Sequence, residues 1–155
     1  MSSLKLRIIA IAGSMLFSTA TLADECDSKA AEAAAKIGGK ISYRLAIGTY
    51  VEHPSVETLA VMCEDHKAIG VVAESRKKTP SADYYETVGL FIASAFPPIT
   101  SQEASSESLK CLTMALSRER EWAYTETKGL RFQCRSDSDG SVLGARPTGI
   151  ASGLK

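Results

Sequence analysis

The stretch Leu59-Ala60-Val61-Met62-Cys63-Glu64-Asp65-His66-Lys67-Ala68-Ile69-Gly70-Val71-Val72-Ala73 sets the architecture of this chain. Two short apolar runs, Leu59 to Cys63 and Ile69 to Glu74, flank a polar turn at Glu64 to Lys67, a pattern that predicts a β-hairpin. The pattern recurs downstream. Leu130-Arg131-Phe132-Gln133-Cys134 leads into a polar turn over Arg135 to Asp139, and a short strand from Ser141 to Leu143 follows the strong hairpin signal Asp139-Gly140. Cys63 and Cys134 then hold equivalent places, and each hairpin has a cysteine upstream on a predicted helix, Cys26 in one half and Cys111 in the other. Of the connectivities open to four cysteines, this weak internal similarity favours the local one, Cys26 with Cys63 and Cys111 with Cys134. On the chain-entropy model each bridge would add about 3 to 4 kcal/mol by restricting the unfolded state. Bonded cysteines are neither nucleophiles nor metal ligands, and no C-x-x-C pair suggests a thiol exchanger of the thioredoxin type.

Outward from the hairpins, Ser28 to Ile37 is built of strong helix formers and stops at Gly38-Gly39. Ile41, Tyr43, Leu45 and Ile47 alternate with smaller or polar residues, the period of a half-buried strand that runs to Val51 before His53-Pro54 breaks it. Ser81 is placed to cap a second helix whose apolar positions Tyr85, Val88, Ile92, Ala95 and Phe96 share one face, and Pro97-Pro98 ends it. Thr100 and Glu103 form the T-x-x-E pattern of a capping box for a third helix, with Leu109, Leu112 and Leu116 as its buried stripe. A strand over Trp122 to Thr127 precedes the second hairpin. The expectation is an α+β domain over residues 24–144, an antiparallel sheet of about five to six strands with three helices packed on one face, in the order αβββααβββ. From Ala145 to Lys155 the apolar periodicity is gone, which reads as a flexible tail.

The first residues set the compartment. Lys5 and Arg7 precede an apolar run from Ile8 to Phe17, and small residues follow up to Thr21 and Ala23, so residues 1–23 read as a cleavable secretory signal peptide with the cut after Ala23. The apolar run is about half of what a spanning helix needs. Cys26 is also too far from Ala23 to be acylated there, so a product without stable membrane insertion is expected, periplasmic or secreted. That compartment is oxidising, which suits an even cysteine count. With Lys5 and Arg7 removed from a chain of 18 basic and 18 acidic residues, the mature charge is slightly negative. This gives no electrostatic basis for binding nucleic acid or an anionic surface.

Catalytic patterns are weak. The only histidines are His53 and His66. A hydrolase would need one of them beside a serine such as Ser55 and an acid such as Glu57 or Asp65, and no G-x-S-x-G elbow is present. Glu64-Asp65-His66 falls in a turn where successive side chains diverge, against a metal site. Asp137-Ser138-Asp139-Gly140 opens like a calcium loop, but Ser141 to Thr148 supply no further acid. The carboxylates Glu52, Glu57, Glu74 and Glu86 have no pairing spacing for glycoside chemistry. No metal or cofactor is expected.

What remains is a basic and aromatic group: Arg118, Arg120, Trp122, Tyr124, Arg131 and Arg135, which a Cys111 to Cys134 bond would bring together as an anchor for a protein partner. The function expected is therefore an exported binding protein without catalytic activity, of the inhibitor or immunity-protein kind. One alternative is a small-molecule or lipid-binding module with a cavity lined by Tyr43, Leu45, Tyr85, Phe91 and Phe96. The other is a hydrolase using His53 or His66.

Overall fold

The computed structural model describes residues 24–118 and 120–149; the expected signal peptide, Glu119 and residues 150–155 lie outside them. The elements are α1 (Glu25–Ile37), β1 (Lys40–Leu45), β2 (Gly48–His53), β3 (Val56–Glu64), β4 (Lys67–Ser75), α2 (Ala82–Ala95), α3 (Ser101–Leu116), β5 (Ala123–Thr127), β6 (Leu130–Asp137) and β7 (Gly140–Pro147). This is an α+β fold with a seven-stranded antiparallel sheet in the order β1-β2-β3-β4-β7-β6-β5. The strand count exceeds the sequence expectation because the run from Ile41 to Val51 is two strands, folded back at Ala46-Ile47. Ala145 to Pro147, read in the sequence as the start of a tail, belong to β7, where β6 pairs with all three and β4 with Ala145.

Local chemistry explains most boundaries. Asp24 caps α1 through its carboxylate, which accepts from the Asp27 N–H at 2.7 Å, and Gly38 ends the helix in the left-handed region at φ 70°. The capping box of α3 forms as expected: the Thr100 hydroxyl accepts from the Glu103 N–H, and the Glu103 carboxylate accepts from the Thr100 N–H. Ser81 occupies the α2 N-cap position but makes no side-chain capping bond. The hairpins turn on two residues each, Asp65-His66 and Ser138-Asp139. Asp65 and His66 both have positive φ, 47° and 65°, which matches the right-handed twist of the strands they join.

The two halves share a plan. In each, a helix precedes an antiparallel meander, of four strands in the first half, where β1 has no counterpart, and of three in the second, and a disulfide ties the helix to the last strand but one: Cys26 of α1 to Cys63 of β3, and Cys111 of α3 to Cys134 of β6. The meanders β1-β2-β3-β4 and β5-β6-β7 meet through their last strands, so β4 and β7 form the centre of the sheet. Helix α2 contacts both α1 and α3 and spans the junction.

Pairing register sorts the strand residues into two faces, since directly opposed residues point the same way. One face carries Thr49, Val61, Val71, Ala145, Phe132 and Thr125 in one row, and Val51, Leu59, Ala73, Leu143, Cys134 and Ala123 in the next. The apolar members of both rows belong to the single core cluster with Ala30, Ala33, Tyr84, Phe91, Ile92 and Leu112 of the helices. Burial of each large side chain in that cluster is worth about 1.5 to 3 kcal/mol. On α2 the buried tyrosine is Tyr84, whose hydroxyl donates to the Ala73 carbonyl at 3.2 Å, and Tyr85 is half-buried. On α3 the buried side is Ala104, Ser108, Cys111, Leu112 and Ala115, and Leu109 is exposed. Cys111 must face Cys134, and that bond turns the helix so that Ala104, Ser108 and Ala115 are buried beside Leu112 of the expected stripe, and Leu109 is left outside.

Candidate interaction face

The second face of the sheet has a different composition. One row crosses all seven strands: Tyr43, Tyr50, Ala60, Val72, Gly144, Gln133 and Tyr124. None of these residues joins the core cluster, not even the fully buried Ala60. On either side run Leu45, Gly48, Met62 and Gly70, and Thr58, Glu74, Val142 and Arg135. The centre of the face thus carries no aromatic side chain, with Ala60, Val72 and Gly144 in its middle row and the Gln133 side chain lying over Gly144, and the aromatic groups stand toward the two edges.

At the β1 edge, Tyr43 and Tyr50 stack with ring centroids 4.4 Å apart and planes 17° from parallel. Tyr43 is nevertheless 52 % exposed and its strand neighbour Leu45 53 %; Ile47, at the tip of the hairpin, is exposed as well. A register shift between Ile41 and Tyr43 puts them there. Ile41 pairs with Val51 on the core face, and one extra residue later Tyr43 pairs with Tyr50 on the open face. Arg44 consequently faces the helices, where it donates to the Asp27 carboxylate at 2.8 Å beside the Thr49 hydroxyl, which donates to the same oxygen at 2.6 Å.

At the opposite edge the structure brings together four of the six residues of the basic and aromatic group. Tyr124, Arg131 and Arg135 share the open face by register, and the Arg135 guanidinium stands 5.4 Å from the centroid of the Trp122 ring. Arg131 is held to Glu126 at 2.6 Å and Arg135 to Asp137 at 3.4 Å, so both are pre-set by exposed ion pairs of small energy. Arg118 and Arg120 lie in the turn between α3 and β5, exposed, with no ion pair among the described residues. Beyond Arg135 the face ends in a charged cleft of about 230 Å³ lined by Glu74, Arg76, Arg135, Asp137 and Val142, in which Arg76 is paired with Glu57 at 2.5 Å. Tyr43, Leu45 and Tyr50 are the part of this face absent from the group read in the sequence. Their period-2 pattern placed Tyr43 and Leu45 in the core, and the bulge reverses it.

The other candidates do not assemble. His53 is the last residue of β2, where its Nδ1 accepts from the Ser55 N–H at 3.2 Å, and His66 lies in the turn at the far end of β3. Neither has a serine hydroxyl and an acid in line among the described residues. Tyr43 and Leu45 are on the opposite side of the sheet from the buried Phe91, so the five residues of the cavity reading do not line one cavity. Asp137 to Gly140 is a turn closed by the Asp137 carboxylate accepting from the Asp139 N–H at 3.0 Å, and no cluster of three metal-ligating side chains occurs among the described residues.

His66 has a structural partner. Its Nδ1 is 2.9 Å from the Asp24 carboxylate, which ties the start of α1 to the β3–β4 turn. The N-cap bond from Asp27, and then His66, hold the Asp24 carboxyl below its ordinary 3.8; the hydrogen bond and charge of Asp24 raise His66 above 6.5. The Asp24 contribution is present above pH 3.8 and lost as pH falls through its lowered value; that of His66 is full below pH 6.5 and lost as pH rises through its raised value. His66→Asn keeps a residue that tolerates positive φ. In thermal melts its deficit against wild type is expected to be widest between pH 4 and 6.5, to close on both sides, and to shrink in 1 M salt. A deficit constant from pH 3 to 9 would contradict the pair's role.

No protein-family model, curated protein or solved structure matches this chain. Its functional reading therefore rests on the face itself.

Proposed function

We propose that this is an exported interaction protein that binds another protein through the open face of its sheet. The observation that carries this is the distribution of exposed large apolar side chains. Tyr43, Leu45, Trp122 and Tyr124 stand on this one face, with Ile47 at its rim; Leu109 is the sole other example among the described residues. A solvated antiparallel face ordinarily alternates to polar residues, and exposed aromatics with arginines beside them are the residue types that anchor protein partners. The rigid setting favours the same reading, because stacking and ion pairs already order Tyr43, Arg131 and Arg135, so docking costs little side-chain entropy. An inhibitor or immunity-type role, the three helices acting as a backing layer on the core side, and export through residues 1–23 belong to the same proposal. The paired cysteines support an oxidising compartment. No helix among the described residues is long and apolar enough to cross a membrane.

The test is comparative capture from an extracytoplasmic extract. Tyr43→Glu and Tyr124→Glu, each checked for an unchanged melting curve, are expected to lower recovery of the partner about tenfold or more, and Glu32→Lys on the exposed side of α1 to leave it unchanged. Equal recovery with all three variants would place binding elsewhere.

A further inference from the structure

The two disulfides differ in their surroundings. Cys111 and Cys134 are both at 0 % exposure between α3 and β6. Cys26 is at 1 %, but Cys63, near the end of β3, is only partly buried. Cys63 also lines an open cleft of about 380 Å³ together with Asp24, Asp27, Arg44, Asp65 and His66. Thiol–disulfide exchange proceeds only where a thiolate can reach a sulfur, and this cleft is wide enough for a small molecule to do so. We propose that Cys63 is a thiol-exchange site at which small aminothiols open the Cys26–Cys63 bridge while Cys111–Cys134 stays closed.

In the first step the incoming thiolate sulfur attacks Sγ of Cys63 and the Cys63–Cys26 bond breaks. A mixed disulfide forms on Cys63 and the electron pair leaves on Cys26. A second equivalent of thiol displaces Cys63 in turn and carries away the symmetrical disulfide, so two thiols are oxidised for each bridge reduced. Cys26 suits the leaving role, since it is the second residue of α1, where the helix dipole favours a thiolate. The charges around the cleft select the reagent. Asp24 is paired with His66 and Asp27 with Arg44, leaving Asp65 in excess, so a cationic aminothiol is preferred over an anionic thiol. Opening the bridge removes the covalent tie between the first turn of α1 and β3, leaving the Cys26 N–H to His66 carbonyl bond and the Asp24–His66 contact to hold them, and does not touch the second meander.

The experiment exposes the oxidised protein to limiting cysteamine, quenches by alkylation at successive times and maps the peptides by mass. Cys26 and Cys63 are expected to become reactive at least about tenfold faster than Cys111 and Cys134, with the cysteamine adduct on Cys63 and the far-ultraviolet spectrum retained. Equal rates for the two pairs, earlier opening of Cys111–Cys134, or the adduct on Cys26 would each overturn the proposal.

Discussion

Replacing both Cys111 and Cys134 by alanine is expected to cost about 3 to 5 kcal/mol. The bridge closes a separation of 23 residues, and restriction of the unfolded chain alone accounts for about 3 kcal/mol. Loss of two fully buried sulfurs from the contact between α3 and β6 adds to this. The second meander depends on the bridge more than the first depends on its own. Cys26 sits at the start of α1, where the Asp24 cap and the Cys26 N–H donating to the His66 carbonyl at 3.0 Å also hold the helix. Cys111 lies in the body of α3 and sets which side of the helix meets the sheet. Denaturant titration of the double alanine variant against wild type under oxidising conditions measures the cost. A loss below about 1 kcal/mol would mean that packing alone orients α3.

Gly89→Ala is expected to destabilise the domain by about 2 kcal/mol, although alanine is the better helix former by about 1 kcal/mol. Gly89 is buried on α2 where α3 crosses it, and an added Cβ would lie 2.7 Å from both the Ser101 carbonyl oxygen and the Ser105 nitrogen, and 2.0 Å from the Ser105 hydroxyl. The hydroxyl could rotate away, at the cost of its bond to the Tyr85 carbonyl at 2.9 Å. The backbone atoms cannot, so the two helices must separate. Ser105→Ala in the same chain is therefore expected to restore only part of the loss. A neutral or stabilised Gly89→Ala variant in thermal melts would show that the helices have room to part.

Where the sequence is informative, it is so because the chemistry is local. Gly38 ends α1, the Thr100 and Glu103 box starts α3, Pro97-Pro98 separates α2 from α3, and both cysteine-bearing hairpins lie where apolar runs flank a polar turn. The misreadings come from interactions that depend on distant parts of the chain. A one-residue bulge after Ile41 moves Tyr43 and Leu45 to the open face, and no residue type in Ile41 to Leu45 announces it. Helical spacing puts Leu109 on one stripe with Leu112 and Leu116, but the covalent bond from Cys111 decides the rotation of α3 and leaves Leu109 exposed. Gly144 to Pro147 have too few large side chains to show a strand period. They are nevertheless central, because the partners Val71, Val72 and Phe132 supply the bulk. The same holds for the candidate site: Trp122, Tyr124, Arg131 and Arg135 are legible as a group from one hairpin, whereas Tyr43 and Tyr50 join them only through the register of the three intervening strands β3, β4 and β7.

The reading of the open face as the working surface is tested most directly by oxidative footprinting of the free protein and of its captured complex. In the free protein Tyr43, Trp122 and Tyr124 are expected to be modified readily and the buried Tyr84 to be spared. In the complex, Tyr43, Trp122 and Tyr124 are expected to lose their reactivity together. Unchanged reactivity at these three, with protection appearing instead on exposed residues of α1 or α3, would contradict it.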